Sequence, residues 1–157
     1  MKLALSLLCL ATLGACSSHS ASDTGHAPAE APLAFSQSTG PLKIGVIGLV
    51  HGHVEGLLAQ AAQRDDLRIV GVFEPDRAIF DRMAAKYGLD PSLYHATLDA
   101  MLDAGKPEAV SVMGSVRDHL AAVERCAPRG VHLLVEKPLT FSVHDARRME
   151  TLARRHG

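Results

Sequence analysis

The amino-acid sequence predicts an α/β protein built on a doubly wound, Rossmann-like parallel sheet. From Lys43 onward, short apolar runs alternate with longer amphipathic stretches, and a glycine, Gly48, directly follows the first run. Strands that alternate with helices in this way form a parallel sheet covered on both faces, because each crossover places a helix against the sheet. Apolar residues make up 47% of the 157 residues, which is enough for one ordinary hydrophobic core.

Five strands are predicted where apolar residues follow one another, at 43–47, 67–73, 93–95, 108–113 and 131–135. Apolar residues at helical spacing predict five helices, at 52–64, 76–87, 98–104, 117–127 and 142–155. Local signals mark some helix ends. Gly88 is placed to cap the second helix and Gly105-Lys106-Pro107 to end the third. Ser142 is the expected N-cap of the last helix, with Asp145 near the acid position of a capping box.

The first 16 residues predict an export signal that is no part of the fold. Lys2 precedes an uncharged apolar run, and this run is too short, at roughly a dozen residues, to span a bilayer. It ends in Leu13-Gly14-Ala15-Cys16, which resembles the lipobox of bacterial lipoproteins. We therefore expect a lipid on Cys16 and a lipid-anchored, extracytoplasmic protein of the bacterial cell envelope. A plain secretory signal is the alternative.

The segment after Cys16 predicts a disordered linker over 17–40, because it is rich in Ala, Ser, Pro and Gly and has little apolar periodicity. The folded domain is then expected at 41–157. A formal net charge of −1 and an aromatic content of 4% argue against a nucleic-acid partner. Cys126 would be the single free cysteine of that domain, so no internal disulfide is predicted, and we expect it to be buried on a helix.

The turn after the first strand, Gly48-Leu49-Val50-His51-Gly52-His53, is a candidate cofactor site. A strand-to-helix turn offers free backbone N–H groups and a favourable helix dipole to a phosphate. Of the dinucleotide fingerprint G-x-G-x-x-G only Gly48 is present, since Val50 and His53 replace the second and third glycines. We expect Gly48, Val50 and His51 to contact the cofactor, with the Cβ of Val50 where a pyrophosphate would approach.

The spacing of His51 and His53 is compatible with metal binding, but two ligands do not make a site. No metal is therefore predicted. Both histidines are instead expected on the surface of the turn or as caps of the helix.

Glu74 ends the second strand, 26 residues after Gly48. An acidic side chain at about this spacing can accept hydrogen bonds from ribose hydroxyls. It would also repel a 2′-phosphate, which favours NAD over NADP. The alternative is a solvated loop acid before Pro75.

The fifth strand leads into Glu136-Lys137-Pro138-Leu139 at the carboxyl edge of the predicted sheet, the edge where open α/β sheets bind ligands. Lys137 can hydrogen-bond a substrate hydroxyl there and take part in its deprotonation as hydride leaves. Pro138 fixes the backbone that follows.

With Lys-Ile-Gly-Val-Ile-Gly at 43–48 and Val-Phe-Glu-Pro-Asp at 72–76, this motif resembles the Gfo/Idh/MocA family of NAD(P)-dependent oxidoreductases. The resemblance implies an N-terminal Rossmann domain and hydride transfer to or from sugars, inositols or related polyols. It implies that Glu136, Lys137 and Pro138 contact the cofactor and that Lys137 is catalytic, touching nicotinamide ribose and substrate. The family's second α/β domain, which holds further catalytic residues, is expected to lie beyond this sequence.

One motif departs from the family pattern. Where the family often has Pro-Asn and then a histidine after the fourth strand, this sequence has Met113-Gly114-Ser115 and, further on, His119, which we expect to face solvent at a helix start. Three functions are compatible with the sequence. They are the dinucleotide-binding part of a sugar or polyol dehydrogenase, an NAD-dependent glycosidase of the same family, and a catalytically incomplete binding module anchored at the membrane.

Overall fold

The structure is a computed structural model and describes residues 40–157. The export signal predicted at 1–16, the lipid on Cys16 and almost all of the linker predicted at 17–40 lie outside the described residues. Among the helices that are described, none combines the length and the apolar character needed to cross a bilayer.

Five parallel strands form one sheet in the order β3-β2-β1-β4-β5. The strands are β1 (Leu42–Ile47), β2 (Leu67–Phe73), β3 (Tyr94–His95), β4 (Ala109–Val112) and β5 (His132–Val135). The strand order changes direction at β1, which lies between β2 and β4. A switch point of this kind leaves a crevice beyond the carboxyl ends of the strands, where ligands bind in such sheets. The doubly wound, Rossmann-like prediction is confirmed.

The helices are α1 (His53–Ala61), α2 (Arg77–Tyr87), α3 (Leu98–Gly105), α4 (His119–Cys126) and α5 (Val143–His156). Single 3₁₀ turns lie at Pro91–Leu93, Val116–Asp118 and Ala127–Arg129. The helix predicted at 52–64 ends at Ala61. Residues 62–66 are all exposed, so no packing against the core extends the helix. The helix predicted from residue 117 begins at His119, because Ser115 Oγ accepts from the N–H of Arg117 and holds a 3₁₀ turn first.

Helices cover both faces of the sheet. On one face, Val46 and Val72 of the sheet pack with α1 and α2; on the other, Ile47 and Val112 pack with α3 and α4. The α5 helix packs against α4. As predicted, Cys126 is a free, fully buried residue of α4, and burial raises the pKa of its thiol to about 11. The core therefore spans both faces of β1 and β4 and holds their carboxyl ends rigidly.

Two helix ends differ in detail from the prediction. The Ser142 hydroxyl accepts from the N–H of Asp145, but the Ser142 N–H donates to Thr140 Oγ1, so the reciprocal half of the capping box is not formed. The third helix ends on Lys106, whose φ is +44°, rather than on a glycine. Gly105 serves packing instead, since a Cβ there would lie 2.8 Å from the carbonyl oxygen of Val70. Gly88 caps α2 in the left-handed conformation, as predicted.

Gly48 is the position where the chain most needs a glycine. Its φ is +80°, a conformation that L side chains rarely adopt, and a Cβ would lie 2.4 Å from the Cα of Gly114. Gly114 follows β4, so this contact joins the ends of β1 and β4. The close approach allows the turn after β1 to fold directly over the switch point.

We predict that Gly48→Ala lowers the free energy of unfolding by about 2 kcal/mol or more, because the new Cβ is strained and overlaps Gly114. The matched control is Gly56→Ala on α1, where an added Cβ meets nothing within 4 Å. That change should raise stability by about 0.5–1 kcal/mol through helix propensity. Urea unfolding of the three proteins measures both effects, and a Gly48→Ala protein as stable as the parent would disprove the close approach.

Candidate functional site

Three loops meet at the carboxyl edge of the sheet. Ile47 of β1 lies opposite Val112 of β4, and Val112 lies opposite Val135 of β5. The residues that follow these strands therefore share one edge, with Gly48 at one end of the row and Glu136 at the other. The sequence prediction that Gly48 and Lys137 lie at the same edge of one sheet is confirmed by this register.

The turn after β1 leaves some of its backbone donors free. The N–H of Leu49 donates to Glu74 Oε2 over 2.7 Å, and that of His51 donates to the carbonyl oxygen of Met113 over 3.0 Å. Within the part of the chain that the structure describes, the N–H groups of Val50 and Gly52 donate no hydrogen bond. Unpaired N–H groups at a helix start are the donors that bind phosphate in nucleotide sites.

A cavity of about 650 Å³ opens at this edge, a size common for small-molecule sites. The turn after β1 forms one wall through Gly48 and Val50, and Glu74 forms another. Val50 is 60% exposed, so its side chain stands at the cavity rather than in the core. The remaining lining comes mainly from the loops before α3 and α4 and from α4 itself, including Thr97, Asp99, Gly114, Asp118, Ala121 and Arg125.

Glu74 is 3% exposed, so the alternative of a solvated loop acid is wrong. Besides the N–H of Leu49, its carboxylate accepts the N–H of Asp76 at Oε1 over 3.0 Å. It thus ties the turn after β1 to the end of β2. Each carboxylate oxygen has more than one acceptor position, so both can still accept a hydrogen bond from a ligand.

Glu136 lies against the two histidines of the turn. Its Oε2 is 2.8 Å from His53 Nδ1 and 3.8 Å from His51 Nδ1, and its Oε1 accepts the N–H of Lys137 over 2.9 Å. The hydrogen bond with His53 and then that from Lys137 lower the pKa of Glu136 below its usual value. No local sequence signal marks this partner, because 83 residues separate Glu136 from His53 and only the strand order joins them.

Lys137 is exposed at the edge, and among the described residues its ammonium forms no hydrogen bond or ion pair. The Lys137–Pro138 peptide bond is cis. Pro138 is also exposed. The lysine is therefore free to reach a ligand bound at the carboxyl edge.

His119 is fully buried, so the expectation that it faces solvent was wrong. Its Nδ1 bonds to the carbonyl oxygen of Leu139 over 3.0 Å, which ties the loop after Lys137 to the start of α4. The signal was present in the sequence. His119 precedes Ala122, Val123 and Cys126 by three, four and seven residues, the spacing of one buried helix face.

Residues 42–157 match an oxidoreductase family with an NAD-binding Rossmann fold, Gfo/Idh/MocA. Among curated proteins, the dTDP-3,4-didehydro-2,6-dideoxy-α-D-glucose 3-reductase of Streptomyces antibioticus is 33% identical over 116 residues, which are 74% of this chain and 34% of that protein. The D-glucoside 3-dehydrogenase of Escherichia coli (strain K12) is 30% identical over 122 residues, 78% of this chain and 34% of that protein.

A solved structure, the UDP-N-acetylglucosamine 3-dehydrogenase of Acidithiobacillus ferrooxidans, is similar with a TM-score of 0.58 and 29% identity. The match covers 73% of this chain and 35% of that one. The chain therefore spans about a third of the length of the relatives it matches.

We predict that Glu74→Ala lowers the free energy of unfolding by about 2–4 kcal/mol, because it leaves the N–H groups of Leu49 and Asp76 without their acceptor. Asp76→Ala is the control. It removes an exposed acceptor of the Ala78 N–H at the start of α2, which should cost about 1 kcal/mol. Equal losses for the two variants, measured by urea unfolding, would contradict the role of Glu74 in holding the turn.

Proposed function

We propose that this chain, which belongs to the Gfo/Idh/MocA oxidoreductase family with an NAD-binding Rossmann fold, supplies the dinucleotide site of a sugar oxidoreductase. The observation that carries the proposal is that the N–H groups of Val50 and Gly52, at a helix start beside the cavity, donate no hydrogen bond to the described residues. A family fold alone does not give an activity. The proposal therefore depends on whether these residues can bind a dinucleotide.

The residues present fit a dinucleotide. The left-handed Gly48 turns the chain beneath the site, and the N–H groups of Val50 and Gly52 can donate to the pyrophosphate at the positive end of the α1 dipole. The cavity extends from this turn past Glu74 and provides space for the adenosine half. The bound cofactor would supply a nicotinamide ring that accepts or donates hydride. We place this ring toward Glu136 and Lys137, at the other end of the row.

We propose NAD as the preferred cofactor over NADP. Glu74 lines the cavity with its carboxylate, which can accept hydrogen bonds from ribose hydroxyls in addition to those from the backbone. A 2′-phosphate in the same place would bring further negative charge against a buried carboxylate.

Lys137 is the group we assign to proton transfer with the substrate. In the oxidation direction, a sugar hydroxyl gives its proton to the uncharged amine of Lys137 as the carbon loses hydride. In the reverse direction, the ammonium returns that proton to the carbonyl oxygen as the carbon gains hydride. The side chain of Lys137 is exposed and forms no hydrogen bond or ion pair within residues 40–157, so it can approach such a hydroxyl. Pro138 directs the backbone that carries it.

The substrate class we propose is a hexose or a nucleotide-linked hexose that reacts at ring position 3. The three relatives named above act, by their names, at position 3 of sugars.

We also propose that the protein is anchored in the bacterial cell envelope by a lipid on Cys16. The apolar run before Leu13-Gly14-Ala15-Cys16 supports this. In cells fed a labelled fatty acid, the native protein should take up label and enter the membrane fraction, whereas Cys16→Ser should do neither. Labelling of both proteins would exclude Cys16 as the lipidated residue.

The dinucleotide site is tested by removing one N–H group. Gly52 has φ −57°, which proline can adopt, so Gly52→Pro deletes this donor with little change in the backbone. We predict that it weakens NAD binding about 10-fold or more, the value of one hydrogen bond to a charged group. The matched variant Gly52→Ala keeps the N–H and adds a Cβ that meets nothing within 4 Å. It should bind NAD as the parent does.

Isothermal titration of the three proteins with NAD and with NADP measures the contribution of the Gly52 N–H and the preference for NAD over NADP. The parent should bind NAD more tightly than NADP. Equal affinities of Gly52→Pro and Gly52→Ala would remove the turn from the site, and tighter binding of NADP would reverse the assigned role of Glu74.

A further inference from the structure

Three side chains that commonly ligate metals converge at the carboxyl edge. One ligand atom from each of His51, His53 and Glu136 lies within 4.8 Å of the other two. We propose that these residues bind a divalent transition-metal ion of the Zn²⁺ class through two imidazole nitrogens and one carboxylate oxygen. The proposal rests on the three donors themselves and is independent of the dinucleotide.

The distances suit a tetrahedral ion. Ligand atoms about 2.0–2.1 Å from Zn²⁺ stand about 3.3 Å from one another when the geometry is tetrahedral. The observed separations from Glu136 Oε2 are 2.8 Å to His53 Nδ1 and 3.8 Å to His51 Nδ1. These values fall on either side of the required one, so small rotations of the three side chains bring the donors to coordination distance.

The surrounding contacts already orient the donors. Glu136 Oε1 is held by the N–H of Lys137, which leaves Oε2 facing the histidines. His51 Nδ1 accepts the N–H of His53 over 3.4 Å, a long hydrogen bond that a bound metal would replace on the single lone pair of this nitrogen. The N–H of His51 is bonded to Met113, which fixes its backbone at the end of β4. Such outer contacts orient ligands in known metal sites.

The donor set favours Zn²⁺ and similar ions over Mg²⁺ or Ca²⁺. Imidazole suits Zn²⁺, Cu²⁺, Fe²⁺ and Ni²⁺, whereas Mg²⁺ and Ca²⁺ prefer oxygen ligands. Two histidines and a glutamate with one open position are a donor set found in catalytic zinc sites. The side chain of His53 is 62% exposed, so solvent reaches the cluster. The fourth position would take water or an oxygen of a molecule bound at the same edge.

The competing explanation is that His53 and Glu136 form a hydrogen bond and nothing more. A measurement of zinc binding distinguishes a metal site from a hydrogen bond alone. We would titrate the full chain, first treated with a chelator, with Zn²⁺ and in parallel with Mg²⁺, following the heat of binding. We predict a site that binds Zn²⁺ and not Mg²⁺. The variants His53→Ala and Glu136→Gln should each weaken it at least about 10-fold.

The control is His144→Ala, which removes an exposed histidine of α5 outside the cluster and should leave the affinity unchanged. Co²⁺ in place of Zn²⁺ should give visible absorption bands with the native protein, and His53→Ala should lose them. Because His53 is largely exposed, its substitution does not open the core, and thermal unfolding in chelator checks that the variant is folded.

Equal Zn²⁺ binding by the native protein and by His53→Ala, or no Zn²⁺ binding by the native protein, would overturn the proposal. Titration with NAD in the presence of chelator is the separate measurement for the dinucleotide. Absence of Zn²⁺ binding with NAD binding retained would disprove the metal site alone. Absence of NAD binding with Zn²⁺ binding retained would disprove the dinucleotide site alone.

Discussion

The close approach of Gly48 to Gly114 is the constraint on which the candidate site depends. It brings the backbone after β1 against the backbone after β4, at a distance that leaves no space for a Cβ. The turn can then lie over the switch point of the sheet rather than beside it. Two further bonds hold it there, from Leu49 to the buried carboxylate of Glu74 and from His51 to the carbonyl oxygen of Met113. Loops after β1, β2 and β4 are thereby fixed to one another.

This arrangement is compatible with our proposal that the turn binds phosphate, although only the first fingerprint glycine is present. The second glycine of the fingerprint lets a backbone approach the pyrophosphate, and the third lets the helix pack closely on the strand. Here Val50 projects its side chain at the cavity, while its N–H donates no hydrogen bond in the part of the chain that the structure describes. His53 lies at the exposed side of α1, and the neighbouring Val54 is the residue that enters the core. Val50 and His53, which replace the second and third glycines, therefore do not disturb the packing of the turn on the sheet.

Much of the fold could be predicted from the sequence, because apolar periodicity and glycine positions report directly on local structure. The strand and helix order followed from the alternation of patterns, and the cap at Gly88 followed from its position. Other features depend on contacts between distant segments. Glu136 meets His51 and His53 only because β1 and β5 both flank β4. The burial of Glu74 depends on a donor from another loop, and no local pattern predicts it.

His119 is an intermediate case. Its helical spacing from Ala122 and Cys126 indicates a buried residue. The prediction of a solvent-facing side chain followed instead from the polar character of histidine. The structure shows what outweighs that preference, since the ring is bonded to the backbone of the loop that follows Lys137. A buried polar group is retained where it meets a partner, and here the partner belongs to the candidate site.

In the proposed site, the N–H groups of Val50 and Gly52 donate hydrogen bonds to the pyrophosphate of a nicotinamide dinucleotide. The most direct measurement is an amide proton–nitrogen correlation spectrum of the isotopically labelled chain, recorded during titration with NAD. The amide resonances of Val50 and Gly52 should move downfield and be among the most shifted, as expected for new hydrogen bonds to phosphate. Unmoved resonances at these two residues, with NAD bound and the largest shifts elsewhere in the chain, would contradict it.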